Sequence, residues 1–439
     1  MAAEPLLDPT FPQPDGVPEG PSLWRNSAFR RIWTAATISI FGSLITRLAL
    51  PLVAILTLHA DAFGVALVRS MDLIAGLAVG LVAGAWVDRL RRRPVMIWAD
   101  LGRAALLATV PVAAVGGWLS LPQLLLVALL TAVLTTFFDT ADRAFLPTVV
   151  PRRDLIRANG AIAASSSVSE FAAFGSAGFL VQILTGPFAI LIDAITFLVS
   201  AVFIGSIHAK EPAPPLKAER EPVLREIAVG LRLVAADPVL RALTLASMAT
   251  AAMWGVVGAT WYLLALGELQ LDAAAIGMIA AVGGASSLAG AVLAGRLNRR
   301  FGVGPMVLIS CFVAGVGSVF IPLAPAGAPL IALALLVANQ LVTDPAMTIF
   351  NINDTSIRQS LVHDHQLGRV NATVRVAILL AQLIATLGAG VLALVIGLRE
   401  TLFLAPHGGV LGLLFLWLSP VRRLRVIADG PQPPRAAAG

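Results

Sequence analysis

The chain has 439 residues, 58% apolar and 13% charged, with a formal net charge of +6 and a mean hydropathy of +0.87. Soluble domains carry roughly 25% charged residues, so the composition excludes both an ordinary cytosolic enzyme and a disordered chain. The apolar residues fall in blocks of about 20 to 28, the length of a helix crossing ~30 Å of hydrocarbon, without the ~10-residue alternation of a transmembrane barrel.

Residues 1–22, rich in Pro and acids, are predicted to be a disordered cytoplasmic tail, and the first apolar block is too long for a cleavable signal peptide. Hydropathy then predicts an all-α polytopic membrane protein with twelve transmembrane helices. They fall at about 31–57, 64–88, 95–117, 122–145, 158–183, 187–208, 241–266, 275–297, 304–324, 328–352, 369–396 and 400–419. The connections alternate in charge. One set holds Arg25, Arg30 and Arg31; Arg89, Arg91, Arg92 and Arg93; Arg152, Arg153 and Arg157; Lys210 through Arg241; Arg299 and Arg300; Arg358; and Arg422, Arg423 and Arg425. The other set has Arg399 as its sole basic residue. Positive charge stays on the cytoplasmic side, which predicts that both termini are cytoplasmic; the expected location is the bacterial plasma (inner) membrane, as a multi-pass protein. The basic clusters therefore set topology and do not imply a nucleic-acid partner.

The longest connection divides the chain into a six-helix bundle over 23–208, a cytoplasmic linker over 209–240, a second six-helix bundle over 241–421 and a cytoplasmic tail over 422–439. Within the linker, Val223, Ile227, Leu231 and Val234 recur at helical spacing between charged residues, predicting an amphipathic helix on the cytoplasmic surface. The halves also repeat one another. The run from Gly84 through Asp88, Arg89 and Arg91 to Pro94 aligns with Gly295 through Arg299, Arg300 and Gly302 to Pro305, 211 positions on. Asp142 through Leu155, Arg157 and Asn159 aligns with Asp354 through Leu367, Arg369 and Asn371, 212 positions on. Two pseudo-symmetric bundles with a cavity between them form a transporter architecture.

With G-x-x-x-D-R-x-x-x-R after the second helix, the chain resembles the major facilitator superfamily from about Arg25 to Arg425. Three stretches are similar to its drug-efflux branch, the macrolide and siderophore exporters: Phe41 through Pro51, Ala99-Asp100-Leu101-Gly102-Arg103-Ala104, and Phe138-Asp139 on to Leu146-Pro147 and Ala158-Asn159. The resemblance implies a monomeric carrier whose first, second, fourth and fifth helices line the cavity. Four positions depart from the family pattern. Arg91 stands where a glycine is usual, Arg299 replaces the acid of the second repeat, Ser43 stands where relatives carry Asp, and Gly175-Ser176-Ala177-Gly178 lacks a proline.

A charge in mid-span costs about 2.5–3.5 kcal/mol and demands a partner, a wet cavity or a function. Glu170, Asp72, Arg47 and Asp344 are the candidates for proton coupling. The alternatives are a static pair of Arg47 or Arg69 with Asp72, a helix-packing hydrogen bond for Asp193, and a structural role for Asp344. A second group, Gly84, Asp88, Arg89, Arg93, Asp100, Arg103, Asp139, Asp142 and Arg143, lies at the cytoplasmic ends. Here the resemblance implies a conformational latch, with Asp88 bridging to the other half. Trp254, Met253, Trp261, Tyr262 and Gln382 are candidate substrate contacts, although Trp261 and Tyr262 equally suit an interfacial belt.

Cys311 reads as a buried hydrophobe and His363-Asp364-His365 as a solvated loop, so no metal site is expected, and no Walker sequence is present. No cofactor is expected; the partners are membrane lipids, protons and a small amphipathic solute. The expected function is proton-coupled export of drug-like or natural-product molecules by alternating access, and no enzyme activity is expected. Two rivals remain: an uncoupled facilitator or lipid flippase, favoured by Ser43 and the missing proline, and a non-transporting receptor or scaffold.

Overall fold

The computed structural model describes residues 23–87, 89–209, 211 and 223–425. Among them are helices only: α1 (Ser27–Leu56), α2 (Ala62–Val87), α3 (Arg92–Val115), α4 (Leu121–Val149), α5 (Leu155–Leu184), α6 (Gly186–Gly205), α7 (Val223–Ala236), α8 (Pro238–Leu263), α9 (Ala273–Phe301), α10 (Val303–Ser318), α11 (Phe320–Leu323), α12 (Pro329–Leu361), α13 (Asp364–Ile396), α14 (Leu398–Leu402) and α15 (Ala405–Trp417), besides short 3₁₀ turns and a π turn after α8. Twelve stretches are long and apolar enough to cross a membrane; α10 with α11 forms one of them and α14 with α15 another. In hydrocarbon each backbone amide must find its partner within its own segment, which is why such blocks adopt helix.

Polar residues and glycines mark the ends. Asn26 Oδ1 accepts from the Ala28 and Phe29 amides (3.0 and 3.2 Å), and Asp237 Oδ1 from those of Val239 and Leu240 (2.7 and 2.9 Å). Gly302, at φ 91°, supplies the left-handed turn between α9 and α10. In the first half Arg91 occupies the matching place in an extended conformation (φ −69°), and the turn is held differently. The Glu211 carboxylate accepts from the amides of Arg92 and Arg93 (2.6 and 3.0 Å), so the start of the linker caps α3.

Helices α4 and α12 run to Val149 and Leu361, past the ends at 145 and 352 expected from hydropathy, because backbone hydrogen bonding does not stop where the hydrocarbon does. Linker helix α7 packs on α13, and Leu231 of its expected apolar stripe falls outside that contact. Its contact stripe runs through Gly230, Leu233 and Val234, with Gly230 against Arg369 and Thr373 of α13, whereas Leu231 is 58% exposed.

Inside the first half α1 packs on α5 and α6, α3 on α4 and α6, and α2 on α4; inside the second, α8 packs on α13 and α15, α10 on α12 and α15, and α9 on α12. These are the same five pairings, one set for each repeat. Between the halves α5 meets α9 and α2 meets α13, two seams that the pseudo-twofold exchanges.

The seams are closed at one end only. A Cβ on Gly178 of α5 would lie 2.9 Å from the Gly277 Cα of α9, and one on Gly390 of α13 would lie 3.2 Å from the Phe63 Cα of α2. Halfway along, a Cβ on Gly76 would meet Leu379 at 3.3 Å. Closer to the face that carries residues 23 and 425, Gly80, Gly160 and Gly368 have no such neighbour within 4 Å among the described residues. The halves thus touch at the far face and diverge toward the terminal face.

Candidate functional site

The space between the halves forms a cavity of two lobes, both bordered by Arg47 of α1. The lobe of about 580 Å³ leans on the second half, and the lobe of about 540 Å³ on the first. Their walls follow the repeat. Ala128, Ala132, Thr135, Thr136 and Asp139 of α4 line one; Gln340, Asp344, Met347, Thr348 and Asn351 of α12, each 212 positions on, line the other. Ser43, Thr46, Arg47 and Leu50 of α1 answer to Trp254, Val257, Gly258 and Trp261 of α8 in the same way, 211 positions on. Duplication supplies the geometry, and divergence at matched positions gives each lobe its chemistry.

The larger lobe has an aromatic wall of Trp254, Trp261, Tyr262 and Phe174 facing Asn339, Gln340 and Gln382. Asn339 Nδ2 donates to Gln340 Oε1 (3.0 Å), Thr343 Oγ to Asn339 Oδ1 (3.1 Å), and Ser286 Oγ to the Gln340 carbonyl (2.8 Å). This chain of bonds fixes the polar floor one turn from Asp344. Glu170 of α5 and Asp344 of α12 approach from opposite halves and rest against consecutive glycines of α9, Gly284 and Gly283. Neither has an ion-pair partner among the described residues, and they are near enough to repel one another when both are charged. Arg69 of α2 lies across the seam over Gly258, where a Cβ would fall 3.7 Å from its Nε.

The smaller lobe is bordered by Arg47, Asp72, Arg103, Asp139, Asp142 and Asp193 of the first half and by Arg375 of α13. Neither Arg47 nor Arg69 pairs with Asp72 among the described residues, so the static pairs considered from sequence are not formed. Arg375 stands on the second half and acts electrostatically on Asp139 of the first.

Of the residues picked out in sequence, Arg47, Glu170, Asp344, Trp254, Trp261, Tyr262 and Gln382 come together in the larger lobe, and Asp72, Asp139 and Asp142 border the smaller one. Arg89 and Arg143 are exposed; Gly84 sits in the last turns of α2, and Asp88 lies outside the described residues.

Four assignments require correction. Met253 is 2% exposed and packs against Gly408 of α15, because it lies on the side of α8 turned into its own bundle. Arg93 caps the C-terminal end of α6, donating to the carbonyls of Ile204 (3.1 Å) and Gly205. Asp100 and Arg103 pair with each other inside the first half, so neither bridges the halves as a latch would. Arg103 lies between Phe138 and Phe197, its guanidinium carbon 4.4 and 4.0 Å from the ring centroids, contacts of about 2 kcal/mol when desolvated.

Sequence reading missed Arg375 and Asn351. Arg375 lies inside the predicted eleventh span, where the rule that singled out Arg47 applies equally. Asn351 is the repeat partner of Asp139.

The chain matches the model of the Major Facilitator Superfamily over residues 32–356. It is 29% identical over 227 residues to the multidrug efflux pump Tap of Mycolicibacterium fortuitum, covering 50% of this chain and 55% of that one. It is 28% identical over 314 residues to Tap of Mycobacterium tuberculosis (69% and 72%), and 24% identical over 221 residues to macrolide efflux protein A of Streptococcus pyogenes (49% and 53%). The chain thus spans about half the length of the first and last of these relatives. Among solved structures, the nucleoside transporter NupG superposes with a TM-score of 0.71 at 13% identity, covering 91% of this chain and 99% of that one. A bacterial homologue of the iron transporter ferroportin in an inward-facing state gives 0.71 at 16% identity (91% and 99%). The family match runs from α1 into α12, and it makes this chain a member of the Major Facilitator Superfamily.

Proposed function

We propose that the chain is a secondary-active exporter of amphipathic organic molecules, coupled to protons and working by alternating access. The observation that carries this reading is the pair of carboxylates, Glu170 and Asp344, which line one cavity open toward one face and form no ion pair among the described residues. A like charge nearby favours the neutral form of a carboxyl. As the halves rock, the separation and hydration of the pair change, and with them its hold on the proton. Asp72 and Arg47, at the junction with the smaller lobe, are the next groups on the path.

The aromatic wall suits the apolar body of an amphipathic solute, and the amides beside it suit its polar groups. Relatives named as multidrug and macrolide efflux proteins support the same direction of transport. The basic loops support a cytoplasmic position for the open, terminal face, with a bacterial plasma membrane as the setting of this reading. Solute would enter there, and each returning proton would yield about 2.3 kcal/mol per 100 mV of potential. At the terminal end, Gly84, Asp88 and Arg89 with Asp139, Asp142 and Arg143 would form the latch that holds this face shut in the opposite state. The unit that does this is a monomer in contact with membrane lipids.

The test is efflux of a macrolide from inside-loaded vesicles of the purified chain under an imposed pH gradient. Wild type is expected to export faster with the gradient, and Glu170→Gln to lose that acceleration while still exchanging labelled for unlabelled macrolide. Wild-type flux indifferent to the gradient would overturn the coupling, and absence of any flux would overturn the export.

A further inference from the structure

Behind the smaller lobe, α1, α3 and α6 enclose a polar cluster that the coupling scheme above does not use. Asp193 of α6 is 1% exposed and forms no ion pair among the described residues. A lone carboxylate in so dry a place is disfavoured by much more than one hydrogen bond returns, and such a group takes up a proton instead. The hydrogen bonds agree with this. Thr196 Oγ lies 2.8 Å from the Asp193 carbonyl oxygen and 3.1 Å from Asp193 Oδ1. A hydroxyl has a single hydrogen to give. When it goes to the carbonyl, the nearer acceptor, the contact with Oδ1 is completed by a proton on the carboxyl, which then donates to Thr196 Oγ. Gly42 of α1 leaves room for this arrangement: a Cβ there would collide with both Asp193 Oδ1 and Thr196 Oγ.

Next to it stands a cation with capacity to spare. Arg103 of α3 is 2% exposed, ion-paired with Asp100 and bonded to Thr135 Oγ (3.3 Å), yet among the described residues its Nε has no hydrogen-bond partner and neither has Asp100 Oδ2. Buried donors without an acceptor are rare in native proteins and call for a reason. Arg103 is near enough to act on a charge at Asp193 once one forms, and both residues border the lobe, which gives a proton a way out to water.

We propose that Asp193 is a proton-binding site of this carrier, loaded in the conformation seen here, with Arg103 as the counter-ion that takes over when the proton leaves. On release the carboxyl O–H gives its proton to water in the lobe, and the carboxylate formed accepts the free N–H of Arg103. The hydrogen bond from the carboxyl to Thr196 Oγ is lost with that proton. The remaining charged groups facing this lobe are Asp100 of α3, Asp139 and Asp142 of α4, Arg47 of α1, Asp72 of α2 and Arg375 of α13, while α5 contributes Ile162 and turns Glu170 to the other lobe. Only the use made of the proton rests on the coupling proposed above; the site itself belongs to this one state.

Infrared difference spectra of the full chain in phosphatidylcholine vesicles, recorded between neutral and alkaline pH, test it through the C=O stretch of a protonated carboxyl. Wild type is expected to show a band at neutral pH that Asp193→Asn lacks and that Glu170→Gln and Asp72→Asn keep. Thr196→Val, which retains the shape and removes the acceptor, is expected to move the same band to higher wavenumber, and it decides the matter if Asp193→Asn does not fold. A neutral-pH spectrum unaltered by Asp193→Asn, or a band that ignores Thr196→Val, overturns the proposal. The macrolide efflux assay keeps the two claims apart. Efflux indifferent to pH with the Asp193 band present removes the coupling and leaves the site, while gradient-driven efflux with the band unassignable to Asp193 removes the site and leaves the coupling.

Discussion

Arg399 shows what a single side chain does at the closed end of the molecule. It is the one basic residue in the loops opposite the arginine-rich set, and the exception has a structural cause. Its Nη1 donates to the carbonyls of Pro322 and Ala324 (both 2.6 Å), while its Nε and Nη2 donate to Glu268 (3.2 and 3.0 Å). One guanidinium thereby ties together the ends of three spans of the second half and satisfies two carbonyls at the end of α11. Bonds to a charged donor contribute about 1.5–3 kcal/mol each when buried, less at a group one-quarter exposed such as this. Arg399→Ala is expected to lower stability by about 2 kcal/mol, read as a lower melting temperature in detergent. Arg399→Lys should resemble the alanine variant, because a single ammonium cannot reproduce the planar fork. A lysine variant melting with wild type would refute that account.

At the scale of helices, what holds the far face shut is the absence of side chains. Gly178 and Gly277 let α5 and α9 touch backbone to backbone, and just beyond them Gln182 crosses the seam, Nε2 donating to Asp272 Oδ2 (3.3 Å) and Oε1 accepting from the Ala274 amide (3.1 Å). Overpacking such a contact costs about 1–3 kcal/mol, and ~1.4 kcal/mol already moves a two-state equilibrium tenfold. Gly277→Val is therefore expected to pry the far face open and close the terminal face. The readout is thiol labelling of a reporter Gly160→Cys, which should slow in the valine background. The native Cys311 is buried and stays silent.

The helices themselves were legible in the sequence, since hydropathy and loop charge are local quantities, and the repeat announced the two bundles. The seams were not. Gly76 and Gly80 lie one turn apart on α2, yet Gly76 meets Leu379 of the opposite half and Gly80 does not, because what a glycine faces depends on how far the halves have swung. Met253 failed for a related reason: a residue beside Trp254 is about 100° around the helix, which turns it from the cavity into the bundle. The Asp100–Arg103 pair was read as a latch because depth along a helix can be counted, whereas the neighbour it faces cannot.

For the whole molecule, the pseudo-twofold fixes what the other state must look like. The seams close at the far face and open at the terminal face, so rocking one half against the other about the cavity should exchange the two conditions. Helices α2 and α13 run antiparallel, in contact from Ala66 with Gly390 to Gly76 with Leu379, and then part. Carried on at the same register, the seam would bring Gly84 opposite Asn371 once the terminal face closes. Gly84→Cys with Asn371→Cys is therefore expected to cross-link slowly in the state seen here and faster when Gly277→Val is added. A disulfide demands Cα atoms within about 7 Å, so the bond itself reports closure. Once formed it should stop macrolide efflux, and reduction should restore it, since a carrier held shut at its loading face cannot be refilled. If fully cross-linked protein still transports, the two halves do not work as rocking bodies, and the divided, doubled cavity between them would need another use.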